Sequence, residues 1–106
     1  MKMITAIINK KDSNEVCTAL TKGGYFFTKM ATTGGFLSSG NTTILIGTED
    51  EKVQGAMDII RKHCSRRTEI VPATVQSTTL VNIYPAKVIV GGATVFVTNV
   101  ETFEKM

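Results

Sequence analysis

The chain has 106 residues, 42% of them hydrophobic and 20% charged, with a formal net charge of +3 and an isoelectric point near 9.0. One domain of that length with that balance is globular, which excludes both a disordered chain and a bundle of membrane spans. A nucleic-acid surface is also disfavoured, because it normally brings a wider basic face interleaved with aromatic residues.

Lys2 to Asn9 reads as a first strand, and its near-continuous apolar run suggests burial on both faces. Met3 to Ile8 is too short for a secretory apolar core and has no small-residue cleavage site, so the expected compartment is the cytoplasm, with reduced thiols. Asp12-Ser-Asn-Glu15 has the spacing of a capping box, Val16, Ala19 and Leu20 follow at helical intervals, and Gly23-Gly24 stop the pattern. This predicts a helix over 13–22. Tyr25 to Met30 (YFFTKM) is aromatic and polar in the manner of a strand.

The stretch ATTGGFLSSGNTT, residues 31–43, crowds glycine, threonine, serine and asparagine far beyond the needs of a hairpin turn. Thr42 to Gly47 (TTILIG) is a third strand. Thr48-Glu-Asp-Glu51 has the spacing of a second capping box, and Val53, Ala56, Met57, Ile60 and Cys64 form one apolar stripe of a second helix. Arg61, Lys62, Arg66 and Arg67 cluster at its end, where cations complement the helix dipole.

Another strand signal centres on Glu69-Ile-Val and is broken by Pro72, and Ser77 to Pro85 reads as a loop. Lys87 to Val90 and Thr94 to Val100 are β-branched and flank Gly91-Gly92. That doublet predicts either a hairpin turn or a bulge in a long, bent strand. A short turn from Glu101 to Lys105 finishes the chain.

The order β-α-β-β-α-β, with one or two further strands, predicts a single α+β domain over 1–106 on the ferredoxin-like (split βαβ) plan. Two helices cover one face of an antiparallel sheet. The other face stays largely apolar and calls for a partner, which self-association into a ring would supply. Catalysis and metal binding have little to stand on. His63 and Cys64 are adjacent and diverge on a helix, Cys17 belongs to no paired motif, and no nucleophile stands beside a base. The basic-Gly-aromatic pattern of an RNA-recognition strand is absent.

The segment after the second strand has its own chemistry. Thr32-Thr33-Gly34-Gly35 allows consecutive amides to curl into an anion-accepting nest. Thr28, Thr32, Thr33, Asn41 and Thr42 add donors and acceptors, asparagine can read a purine edge, and Phe36 offers a stacking face. Together these suit a ligand with phosphate and base parts.

ATTGGFL followed after two residues by GNTT, with MKMITAI, KDSNEV, GNTTILIGTEDEKV and GGATVFV in order around it, closely resembles the PII-like cyclic-di-AMP receptors of Gram-positive bacteria. The likeness runs over nearly the whole chain. It implies a non-catalytic signalling protein, a homotrimer of ferredoxin-like subunits with cyclic-di-AMP in each cleft between neighbours, and a mobile loop that relays the state to a downstream protein. No cofactor, nucleic acid or membrane insertion is implied.

Carried over residue by residue, Thr28 would bond to base or phosphate. Gly35, Phe36 and Leu37 would enclose an adenine, and Asn41 would bond a purine edge. Gly47 would admit the ligand to the backbone, while Gly92, Ala93 and Phe96 would form a wall from the final strand. The chain departs from the family pattern at Phe26, where Arg is usual, at Gly24, where Asn is common, at Lys105, where Gln is common, and in residues 72–85, which lack a Pro-Met-Gly-Gly run. Loss of an Arg–phosphate contact is worth about 1.5–3 kcal/mol. The alternative is therefore a PII-like regulator of a different nucleotide or anion.

Overall fold

The computed structural model describes residues 1–30, 40–64, 67–71 and 86–106. Strand β1 (Lys2–Asn9) leads through a 3-10 turn (Lys10–Asp12) into helix α1 (Ser13–Lys22), and β2 (Phe26–Met30) and β3 (Asn41–Thr48) follow. A second 3-10 turn (Asp50–Lys52) opens α2 (Val53–His63). The chain then forms β4 (Arg67–Val71), β5 (Ala86–Val90) and β6 (Ala93–Asn99). Strands β2-β3-β1-β6 make one sheet, in that order and antiparallel throughout, and β4 and β5 pair antiparallel in a separate two-stranded sheet.

The core lies on one side of the larger sheet. Ile4, Ala6 and Ile8 of β1 and Ile44 and Ile46 of β3 point to the same face and are at most 1% exposed. Val16 and Leu20 of α1 and Ala56 and Ile60 of α2, with Cys64 just beyond it, close over them. Each fully buried Ile or Leu contributes about 1.5–3 kcal/mol. The alternate residues Met3, Thr5 and Ile7 are only half-buried. The expectation of burial on both faces of β1 is thus corrected: both helices lie on one face, and β1 is fully buried only on that side.

Helix α1 spans the expected residues, but neither capping box forms. Asp12 precedes α1 without a side-chain cap bond, and at α2 the preceding residue is Lys52, likewise without one. The physical reason is the 3-10 turn inserted ahead of each helix. At the first turn Asn9 accepts from the Lys11 amide at 2.8 Å, and the Ser13 hydroxyl donates to the Lys10 carbonyl at 2.9 Å. At the second, Thr48 is still in β3, and Asp50 pairs with the amino terminus at 3.1 Å.

Gly91 and Gly92 adopt φ of +84° and +78°. They do not make a hairpin turn between β5 and β6, because those strands belong to different sheets. The doublet carries the chain from one sheet to the other. Cys17 and Cys64 are free thiols; burial pushes the Cys17 thiol up, an effect the nearby Lys29 charge partly offsets. His63 Nδ1 lies 3.6 Å from Glu15 Oε2, linking the two helices. No helix among the described residues is long and apolar enough to cross a membrane.

Candidate functional site

On the sheet face away from the helices, cross-strand register aligns Phe26, Gly47, Met3 and Thr98 in one row and Thr28, Leu45, Thr5 and Phe96 in the next. On this face Phe26 is 86% exposed and Phe96 49%. Beside these rows opens a cleft of about 700 Å³, bounded by the ends of β2 and β3 and by Val100 to Lys105 of the tail. The tail starts from a fixed point, since Val100 donates to the Met1 carbonyl at 3.2 Å and Lys2 bonds to Asn99.

The cleft is open because of specific glycines and one tyrosine. A Cβ built on Gly47 meets no atom within 4 Å, so the floor beside Phe26 is bare backbone. Gly24 adopts φ +81°, and its amide donates to Thr21 at 3.1 Å while that of Tyr25 donates to Leu20 at 3.0 Å. That pair of bonds is a Schellman ending, which needs a left-handed residue at this point. It delivers Tyr25 to the cleft wall, where its hydroxyl donates to the Lys52 carbonyl at 2.8 Å. A Cβ on Gly55 would collide with that hydroxyl, so a gap in α2 makes room for it. The Lys52 ammonium sits 5.0 Å from the centroid of the same ring.

A family model of cyclic-di-AMP receptors matches residues 1–106, the entire chain. The chain belongs to the cyclic-di-AMP receptor family. The receptor is also similar to the crystal structure of a functionally unknown protein from Pediococcus pentosaceus, which is 40% identical. That match covers 99% of this chain and 96% of the other, with a TM-score of 0.78.

Of the site residues expected from sequence, the receptor brings Thr28 and Gly47 together in the cleft. Phe96 shares their sheet face, in the row of Thr28. Asn41, paired with Asn9, lies at the opposite end of β3, six positions from Gly47 and so about 20 Å away. Gly92 and Ala93 line a second hollow of about 510 Å³ with Met57, Ile60, Arg61, Cys64 and Val95. Ala93 pairs with Ile8, placing it on the helix-covered side of the sheet. Gly35, Phe36 and Leu37 lie outside the described residues.

Gly24, Phe26 and Lys105, three positions where the resemblance implies other residues, all line the first cleft. Tyr25, Leu45, Lys52 and Phe103 line it as well, and sequence reading passed over them. The aromatic character of YFFTKM was visible, but the contact of Tyr25 with Lys52 spans 27 residues and leaves no local signal. Thr43, between Asn41 and Leu45, has a buried hydroxyl without a hydrogen-bond partner among the described residues. A donor arriving there would recover about 1–3 kcal/mol.

Proposed function

We propose that the protein is a non-catalytic PII-like signalling module that binds cyclic-di-AMP between the subunits of a homotrimer in the cytoplasm. Its mobile loops pass the bound state to a downstream protein. The observation that carries this reading is the cleft beside the sheet face away from the helices, which gathers Thr28 and Gly47 with Gly24, Phe26 and Lys105, three positions where the resemblance implies other residues.

Two further features support it. The strand order β2-β3-β1-β6, with both helices on one face, is compatible with the split βαβ plan of such subunits. Within one chain, Thr28 and Gly47 stand apart from Gly92 and Ala93. Residues of one ligand site that a single chain keeps apart can meet across an interface, and exposed Phe26, Phe96 and Met30 give that interface apolar area to bury.

In the assembled site Gly35, Phe36 and Leu37 enclose one adenine, Asn41 takes a purine edge, and Gly92, Ala93 and Phe96 come from the final strand. A second reading, a regulator of another nucleotide or anion, is favoured by one observation. Phe26 presents a bare ring, 86% exposed, where the family pattern puts a guanidinium. Calorimetric competition distinguishes the two. Cyclic-di-AMP should bind in the presence of excess cyclic-di-GMP, ATP or AMP; displacement by any of these would favour the second reading.

A further inference from the structure

We infer that Lys52 is the cation that receives a phosphate of the nucleotide in this cleft, an inference that rests on the reading above. Lys52 closes the turn Asp50–Lys52, and Tyr25 grips it at both ends. The phenol donates to its carbonyl at 2.8 Å, and its ammonium lies 5.0 Å from the centroid of the same ring. A ring face attracts a cation without using up its N–H donors as a carboxylate would. No ion pair found among the described residues involves Lys52.

The ammonium also has a clear approach. Gly24 lies beneath it with no side chain, and a Cβ built there would stand 3.8 Å from Nζ. Phe26, on the same wall, offers an anion no hydrogen bond. Among the described residues the cleft lining has one other side-chain cation, Lys105, and two carboxylates, Glu49 and Glu104, while the Met1 ammonium, also at the cleft, pairs with Asp50. Lys52 and Lys105 are both exposed, but Lys105 lies in the tail, whereas Lys52 is tied through Tyr25 to the end of α1 and the start of β2. Of the two cations, Lys52 is the one held in place before a ligand arrives, and a held donor loses less freedom on binding.

Titration of the intact protein with cyclic-di-AMP, at low and at high salt, tests this with wild type, Lys52→Met and Lys52→Arg. Methionine keeps the apolar stem over Tyr25 and removes the charge. At low salt Lys52→Met should bind about tenfold or more weakly and lose much of the salt dependence, while Lys52→Arg keeps both. Equal affinity and salt dependence for wild type and Lys52→Met, with matching melting temperatures, would overturn the role of Lys52 and leave the ligand reading standing. Absence of binding by wild type would overturn both.

Discussion

At the scale of single residues, Phe26 and Gly24 show how differently two departures from a family pattern can act. Gly24 stands where the resemblance implies Asn, and its φ of +81° explains why the exchange is tolerated: Gly and Asn are the residues that most readily adopt a left-handed turn. Phe26 has no such equivalence, because a ring stands beside Thr28 and Gly47 where the resemblance implies a guanidinium. Phe26→Arg should tighten cyclic-di-AMP binding by about 1.5–3 kcal/mol, a gain that shrinks in high salt. Phe26 is 86% exposed in the single chain but belongs to the proposed interface, so the comparison is made on protein for which wild type and Phe26→Arg are equally trimeric. Calorimetry with a melting control checks this. An intact fold with no gain would mean that the phosphates do not lie beside residue 26.

At the scale of elements, the parts set by local pattern were legible. The stripe Val53, Ala56, Met57, Ile60 and Cys64 does face the core, and the glycines after Lys22 do end α1. The capping boxes were misleading because Asp12-Ser-Asn-Glu15 and Thr48-Glu-Asp-Glu51 say nothing of the 3-10 turns that displace the helix starts. The role of Gly91-Gly92 was open in sequence, since whether β5 pairs with β6 depends on distant β4 and β1.

The contact between Tyr25 and the start of α2 was invisible for the same reason and gives a test. Gly55→Ala gains about 1 kcal/mol of helix propensity but pushes against the Tyr25 hydroxyl and its bond to Lys52. In a Tyr25→Phe background the nearest atom is the ring carbon at 3.6 Å, an ordinary contact. Denaturant melts should therefore show Gly55→Ala as neutral or destabilising in wild type and stabilising by about 1 kcal/mol beside Tyr25→Phe. Equal effects in both backgrounds would show that Tyr25 does not constrain α2.

At the scale of the whole molecule, the candidate site was only partly readable. The motif pointed to Thr28 and Gly47, which meet in one cleft, but periodicity cannot tell that Gly92 and Ala93 sit in a different hollow. Assembly is the proposed way to bring them together. Light scattering after size exclusion should give about three times 11.5 kDa and hold over a tenfold dilution. A monomer or dimer at micromolar concentration would remove the intersubunit site.

The central claim, a cyclic-di-AMP site completed between subunits, is tested most directly by the stoichiometry of a calorimetric titration on protein of known oligomeric state. Saturation at one cyclic-di-AMP per chain, on a trimer, is the predicted result. No heat of binding and no rise in melting temperature with excess cyclic-di-AMP would contradict it.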